Sequence, residues 1–279
     1  MHPILLKIGR LTLYSYGAMI ALGFLAASWV AGRRARRIGL DPVKIQNVAL
    51  AALIGGILGG RAAYVAMNWA SYRSDWVEIL RLDHGGLVFY GGFAGGLFAV
   101  LAITRRYRMP LGTTFDLLVP SLVLAHAFGR IGCFLNGCCY GKPSPVSWAV
   151  AFPEEGIPRH PTQLYEAAFL FLLFFVLSRI ASSAPSGPPR NDVEGGVGPR
   201  NDVLAAARRS RSGKQSRFKP GTLLLVYGVV YGLWRFGVEF LRGDNPAAWR
   251  GLTIFQLASL VLIAVSAGAL LRKRAVRSW

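Results

Sequence analysis

Residues 113–133 read TTFDLLVPSLVLAHAFGRIGC, an apolar stretch that carries His126 and Arg130 near its end. About 20 predominantly apolar residues are needed to cross the hydrocarbon core of a bilayer as a helix. Comparable stretches lie on both sides of this one, near 13–32, 46–67, 86–104, 163–180, 220–240 and 252–271. The pattern predicts an all-α, polytopic membrane protein with about seven transmembrane helices.

The composition favours the same class of protein. Hydrophobic residues make up 53% of the 279 residues and charged residues only 16%, a charge deficit that would leave a soluble domain poorly solvated. The first apolar stretch is too long for the core of a signal peptide and is followed by RRARR at 33–37. We therefore expect it to be a retained first helix.

The distribution of positive charge predicts the topology. If the N-terminus lies outside, 21 of the 32 Lys and Arg residues fall in cytoplasmic segments, as the positive-inside rule requires. We expect an N-out, C-in orientation with a short extracytoplasmic segment after the fourth helix. The net charge of +19 then reflects orientation and attraction to anionic membrane lipid, and no nucleic-acid partner is expected because no recognition motif accompanies it.

One segment interrupts the series of apolar stretches. Residues 181–219 are rich in Ser, Pro, Gly and Arg and contain PRNDV twice, at 189–193 and 199–203. With no apolar face to bury, the segment is expected to be a disordered basic cytoplasmic loop. It separates helices 1 to 5 (1–180) from helices 6 and 7 (220–279), and it could act as a solvated linker or as a regulatory, partner-binding segment.

Three arginines lie within the apolar stretches: Arg61, Arg130 and Arg235. An arginine at a membrane centre costs roughly 2.5 to 3.5 kcal/mol unless it faces a wet cavity or a partner. The densest polar motif around them is GRIGCFLNGCCYG at 129–141, in which Asn136, Gly137 and Gly141 turn the chain out of the helix. Backbone amides beside a guanidinium suit a phosphate, because arginine can bind two of its oxygens at once.

The cysteines of this motif are Cys133, Cys138 and Cys139. Their spacing matches no zinc pattern and no histidine pair accompanies them, so no metal site is predicted. A nucleophilic cysteine would need an adjacent base. We expect the three side chains to fill apolar space, with oxidation of Cys138 and Cys139 as the alternative on an outer face.

Further motifs predict how helices meet. GGILGGR at 55–61 and GGFAGGL at 91–97 place glycine pairs four residues apart, which allows close helix packing. In RHPTQLYE at 159–166, Glu166 is a candidate counter-charge for an arginine of another helix. RFGVEFLRGD at 235–244 brings Arg235, Glu239 and Arg242 onto one helix face, which cannot face lipid.

Together, YGAMIALG (16–23), GGLVFYGG (85–92), GRIGCFLNGCCYG, RHPTQLYE and RFGVEFLRGD resemble the prolipoprotein diacylglyceryl transferase family. The resemblance implies a multi-pass enzyme of the bacterial plasma (inner) membrane, with its active site toward the extracytoplasmic side. Such an enzyme transfers the diacylglyceryl group of phosphatidylglycerol to the lipobox cysteine of a prolipoprotein signal peptide. A thioether forms, glycerol phosphate leaves, and no cofactor takes part.

The resemblance also implies residue roles. Arg130 and Arg235 match positions expected to be essential for catalysis, and Glu239 matches a motif position and is a further catalytic candidate. The candidates for substrate binding are four residues that match motif positions, Tyr16, Asn136, Gly137 and Gly141, and two that lie in similar surroundings, Arg61 and Glu166. The chain departs from many relatives at Tyr90, where they have His, and from some at Cys133 and Cys138, where they have Asn and an acid. The general base stays open among Tyr90, Glu239 and His84.

Two other classes of protein are alternatives to this interpretation. A transporter or lipid flippase for an anionic substrate could use the same arginines without breaking bonds, but it would usually show inverted repeats and interrupted helices, and only the glycine pairs repeat here. An intramembrane protease would need a GxSxG or HExxH motif, which the sequence lacks.

Overall fold

The structure is a computed structural model that describes residues 1–9, 11–73, 76–81, 85–152, 156–182 and 219–275. Its helices are α1 (Ser15–Arg37), α2 (Pro42–Met67), α3 (Trp69–Tyr72), α4 (Phe89–Arg106), α5 (Leu111–Asn136), α6 (Thr162–Ser182), α7 (Thr222–Val238) and α8 (Ile254–Ala275). Short 3₁₀ turns occupy Glu78–Leu80 and Glu239–Leu241.

Each apolar stretch predicted from the sequence coincides with one of the long helices. Among the described residues, six helices are long and apolar enough to cross a membrane, which confirms a multi-pass membrane protein. The helix α4 coincides with the seventh apolar stretch but is not among these six, and its 18 residues end with Arg105 and Arg106. The count of seven spans and the N-out orientation therefore stay predictions.

Within the described segments, three small antiparallel hairpins add to the predicted all-helical architecture. They pair β1 (Ile4–Ile8) with β2 (Leu11–Tyr14), β3 (Val150–Ala151) with β4 (Pro158–Arg159), and β5 (Ala247–Trp249) with β6 (Leu252–Thr253). Strands of two to five residues are too short for an alternating pattern to reveal them in a sequence.

The chain forms two compact units, and the first comprises Met1–Val30 with Phe115–Trp279. Its apolar core consists of side chains from three helices: Val119, Val123 and Ala127 of α5, Leu170, Leu173 and Leu177 of α6, and Leu223 of α7. At one end of this core, Asp116 of α5 accepts hydrogen bonds from the backbone N–H groups of Gly221 (2.7 Å) and Leu224 (3.0 Å). Asp116 thereby caps the first turn of α7, whose N–H groups have no partners within the helix.

The second unit is Ala31–Thr114, in which α2 packs against α4 through glycines. A Cβ atom on Gly55 would lie 2.6 Å from the Ala99 Cβ and 2.7 Å from the Gly95 carbonyl oxygen. Similar conflicts would arise at Gly59 and Gly91. The glycine pairs are thus confirmed as close helix contacts. At the start of α2, the Asp41 side chain accepts a 2.9 Å hydrogen bond from the Val43 N–H, a standard N-cap.

Most of the loop predicted at 181–219 lies outside the described residues.

Candidate active site

The motif GRIGCFLNGCCYG occupies the last two turns of α5 and the turn that follows. The N–H of Gly137 donates to the Phe134 carbonyl (3.1 Å) and the N–H of Cys138 to the Cys133 carbonyl (3.1 Å). These two bonds, with Gly137 at φ +79°, make a Schellman motif that ends the helix. Gly137 is therefore needed for its backbone conformation, and Asn136 is the last residue of the helix.

Gly141, the last residue of the motif, is enclosed by backbone and side chains. Its N–H donates to the His160 carbonyl at 2.8 Å, and the next residue, Lys142, donates to the Leu241 carbonyl at 2.7 Å. A Cβ atom at position 141 would lie 2.7 Å from the Leu241 oxygen and 2.9 Å from the Thr162 Cγ2. Only glycine fits at this position. The two hydrogen bonds connect the end of the motif to the RHPTQLYE segment, through His160, and to the RFGVEFLRGD segment, through Leu241.

The first turn of α6 holds the same segment from the other side. The buried side chain of Gln163 donates to the Cys138 carbonyl (2.6 Å), and that of Thr162 donates to the Cys139 carbonyl (3.0 Å). The RHPTQLYE motif thus fixes the turn after α5. Sequence reasoning had assigned neither hydrogen bond.

Arg130 lies in a buried polar cluster between α5, α6 and α7. Its Nε is 3.0 Å from Oε2 of Glu166, a carboxylate only 2% exposed. Tyr231 donates a hydrogen bond to the other oxygen of Glu166 (3.0 Å), and His126 Nε2 lies 3.6 Å from that oxygen. The predicted counter-charge role of Glu166 is confirmed, and the side chains of His126 and Arg130 both lie beside its carboxylate.

Arg235 is paired in a second cluster. Its Nη1 lies 2.9 Å from Oε2 of Glu239, whose side chain is fully buried, and Arg242 Nε lies 4.0 Å from the same oxygen. Oε1 of Glu239 accepts hydrogen bonds from Asn245 (2.7 Å) and Thr253 (2.9 Å). The predicted common face of Arg235, Glu239 and Arg242 is confirmed.

The two clusters are connected electrostatically. His126 and Tyr231 each interact with both Arg130 and Arg235. In both ion pairs the contact is close but not aligned as a hydrogen bond: among the described residues, Arg130 Nε and Arg235 Nη1 have no hydrogen-bond partner. Buried guanidinium N–H groups without partners are costly, and an anion with several oxygen acceptors would satisfy them.

Tyr16 stands at the start of α1 beside the same motif. Glycine at position 132 allows this approach, since a Cβ there would lie 3.2 Å from the Tyr16 ring and 3.1 Å from the Met19 Cβ. The Tyr16 phenol interacts electrostatically with Arg130 and with the three cysteines. The structure thus brings together six other residues that were predicted from the sequence. Four of them belong to the motif, namely Arg130, Asn136, Gly137 and Gly141. Glu166 contacts Arg130 directly, and Arg235 is connected to it electrostatically through His126 and Tyr231.

Comparison with known proteins identifies the family of the chain. The sequence model of the family described as prolipoprotein diacylglyceryl transferase matches residues 3–195 and 203–272. The chain belongs to the prolipoprotein diacylglyceryl transferase family. The phosphatidylglycerol–prolipoprotein diacylglyceryl transferase of Clostridium tetani is 36% identical over 270 residues, 95% of each chain. That of Nitratidesulfovibrio vulgaris is 34% identical over 280 residues, covering 98% of this chain and 94% of the relative.

In this member of the transferase family, Arg61 of the second unit is buried and held by backbone carbonyl groups. Nε donates to Ile79 (2.9 Å), Nη1 to Gly85 (2.6 Å), and Nη2 to Glu78 (2.6 Å). The guanidinium also lies over the rings of Tyr64 and Tyr72, at 5.8 and 5.3 Å from their centroids. Arg61 therefore organises the segment between α3 and α4, and its role in substrate binding stays a prediction.

The candidate bases differ in their surroundings. Tyr90, in the first turn of α4, is 58% exposed and packs edge-on against Phe89. Glu239 is fully buried within its hydrogen-bond network. His84 lies outside the described residues. The identity of the base stays a prediction.

The structure revises the account of the cysteines in this transferase. Their sulfur atoms lie within 4.8 Å of one another, although the spacing CxxxxCC matched no metal pattern. The Schellman turn reverses the chain between Cys133 and Cys138, which a linear spacing rule does not consider. The three partly buried side chains therefore form a cluster, and their role in filling apolar space stays a prediction.

Sequence reasoning missed several polar partners. Tyr231 holds Glu166, and Asn245 with Thr253 holds Glu239. Tyr231 could have been found, because it stands one helical turn before Arg235 in an apolar stretch. Asn245 and Thr253 belong to the hairpin region after α7, and no periodicity pointed to them.

Proposed function

We propose that the chain transfers the diacylglyceryl group of phosphatidylglycerol to the cysteine thiol of a prolipoprotein. The family membership supports the reaction, since the relatives matched over nearly their full length are named for it. The observation that carries the assignment to a site is the pair of buried arginine–glutamate contacts with unpartnered guanidinium N–H groups. A phosphodiester headgroup offers the oxygen acceptors that these groups lack.

The chemistry calls for such a site. The thiolate sulfur attacks the glycerol carbon that bears the phosphate, a carbon–sulfur bond forms, and the carbon–oxygen bond breaks. The bonding electrons leave with the oxygen, so glycerol phosphate departs with one more negative charge than the phosphodiester had. Arginines fixed in a water-poor site stabilise this developing charge more than the ground state, which accelerates the step.

Arg130 and Arg235 are our candidates for binding the phosphate. Their carboxylate partners then act as positioning residues: Glu166 orients Arg130 and Glu239 orients Arg235. Oε1 of Glu239 accepts two hydrogen bonds, and Oε2 is ion-paired with Arg235 without an aligned hydrogen bond. The nearby positive charge favours the ionised carboxylate, which disfavours its use as the base. Tyr90 and His84 are the remaining candidates, and tyrosine, with an ordinary pKa near 10, would need nearby positive charge.

The finer assignments follow from the sequence and the reaction. We propose that Tyr16, Asn136, Gly137 and Gly141 frame the headgroup and that the acceptor is the lipobox cysteine of a prolipoprotein signal peptide. We further propose location in a bacterial inner membrane, with the reaction on the extracytoplasmic side, because the positive-inside rule assigns the end of α5 to that side. The transporter or flippase alternative is not favoured, since relatives matched over 90% or more of their length are named as transferases.

A defined reconstitution tests the proposal. Purified protein is mixed with phosphatidylglycerol and a lipobox peptide, and the expected products are a diacylglyceryl thioether on the peptide and free glycerol phosphate. A peptide with Ser in place of its Cys should give neither. Arg36→Lys, which alters an exposed arginine in the last turn of α1, serves as the control variant and should retain full turnover.

A further inference from the structure

Three thiols converge where α5 ends. The sulfur atoms of Cys133, Cys138 and Cys139 lie within 4.8 Å of one another, and the sequence contains no other cysteine. When thiolates bind a metal at about 2.3 Å in tetrahedral geometry, their sulfur atoms lie ~3.8 Å apart. Small side-chain rotations would bring the observed cluster to that spacing.

The backbone accounts for two of these cysteines but not for the third. A Schellman motif commonly has an apolar contact between the positions occupied here by Cys133 and Cys138. Cys139 is not part of that contact, yet it adopts φ +64°, in a region that residues other than glycine rarely occupy. In this conformation the Cys139 sulfur lies within 4.8 Å of the other two.

The peptide groups of the cluster are held in place. The Cys138 carbonyl accepts a hydrogen bond from Gln163, and the Cys139 carbonyl accepts one from Thr162. Both donors are almost completely buried, at 1% and 2% exposure. A metal site benefits when the backbone of its ligand residues is fixed, because the cysteine sulfur atoms then need little reorganisation to bind.

Positive charge surrounds the sulfur atoms. Arg242 interacts with Cys139, and Arg130 with Cys133 and Cys139. A divalent ion bound by three thiolates carries one net negative charge, which these arginines would balance.

We propose that Cys133, Cys138 and Cys139 bind a thiophilic divalent metal ion, of the Zn²⁺ and Cd²⁺ class, and that its open fourth position takes the thiol of the acceptor cysteine. A cavity of about 250 Å³ adjoins the cluster, lined by Asn136, Gly137, Cys138, Cys139, Tyr140 and Asp244. Three protein ligands with one open position are characteristic of catalytic zinc sites.

The acceptor part of this inference rests on the proposed function. A thiol that binds a metal ion is deprotonated, and its proton passes to solvent. Coordination would therefore supply the ionised sulfur that attacks the lipid.

Cadmium titration of the full-length protein in detergent tests the metal site. The protein is reduced, freed of reductant without oxygen, and titrated while the sulfur-to-metal charge-transfer absorption is followed. We expect saturation at one Cd²⁺ per chain, with all three thiols protected from maleimide until a chelator is added. Single changes of Cys133, Cys138 or Cys139 to Ser should each weaken binding on the order of 100-fold or more.

Two results would overturn the metal site. One is unchanged Cd²⁺ affinity in the triple Ser variant, and the other is a disulfide in the air-free protein that leaves a single reactive thiol. Arg36→Lys keeps the three cysteines and should titrate like the wild type. If a Ser variant fails to fold, the maleimide protection of the wild-type protein still decides the question.

A second titration tests the open position. A lipobox peptide added to the Cd²⁺-loaded protein should strengthen the charge-transfer band and lose its reactivity to maleimide, while its Cys→Ser counterpart should do neither. A peptide that is converted to thioether with phosphatidylglycerol, yet leaves the band unchanged, overturns the acceptor-ligand assignment alone. A peptide that is not converted at all overturns the proposed function, whatever the result with cadmium.

Discussion

Replacing Arg130 with Lys removes the planar guanidinium while keeping a positive charge at the end of α5. Arg130 sits 3.0 Å from the Glu166 carboxylate, with its side chain 17% exposed. Lysine can keep one contact to Glu166, but its single ammonium group cannot hold that carboxylate and two phosphate oxygens in the same fixed geometry. We therefore expect Arg130→Lys to insert and fold, and to lose turnover.

The expected size of the loss follows from the bonds removed. One charged hydrogen bond present only in the transition state is worth about 3 kcal/mol, which corresponds to roughly 10²-fold in rate. Because Glu166 keeps its hydrogen bond from Tyr231 and a nearby positive charge, the stability cost should be smaller than the 3 to 5 kcal/mol, approximately, of leaving a buried charge unpaired. The loss should therefore appear in kcat rather than in the amount of folded protein.

The assay is thioether formation on a lipobox peptide at saturating phosphatidylglycerol. The thermal midpoint in detergent is measured in parallel, with Arg36→Lys as the matched control. A kcat within about threefold of the wild type in a folded Arg130→Lys protein would contradict the assignment of this guanidinium to the leaving phosphate.

Four other changes have defined outcomes. Glu239→Gln should lower kcat without changing the shape of the pH–rate profile, because a positioning residue takes no proton; loss of the acidic limb would instead make Glu239 the base. Gly141→Ala should reduce turnover by about 10²-fold, since the new methyl would lie 2.7 Å from the Leu241 oxygen, and normal activity would show that this turn yields without cost. Asp116→Ala should destabilise the protein by about 1 to 2 kcal/mol through loss of the cap on α7, seen as a lower thermal midpoint with unchanged KM. Gly195→Cys, in a chain whose other cysteines are Ser, should resist maleimide applied outside intact cells, and ready labelling would reverse the predicted topology.

The helices were predictable because one physical signal dominates them. A helix in lipid needs a long apolar stretch, and all seven such stretches coincide with long helices. The hairpins β3–β4 and β5–β6 were not predictable, since strands of two or three residues leave no periodic pattern. The glycine pairs of α2 and α4 predicted that each helix would pack closely against another, because a helix face without side chains permits close contact.

The part of the site that contains charged residues within apolar helices was predictable. Buried Arg130 and Arg235 require partners, and i,i+4 spacing identified Glu239 as one of them. Glu166 could be proposed only as a partner for some arginine, because contacts between helices depend on packing that spacing does not encode. The cysteine cluster was missed for a related reason: the left-handed residues Gly137 and Cys139 fold a linear CxxxxCC into a compact group.

Release of glycerol phosphate by the purified protein tests the central claim most directly. With phosphatidylglycerol and a lipobox peptide, the account predicts glycerol phosphate and peptide thioether in equal amounts, and both should fall together, by about 10²-fold, in Arg130→Lys and in Arg235→Lys. Thioether formation at the wild-type rate in both variants, or movement of the lipid across the bilayer with neither product formed, would contradict it.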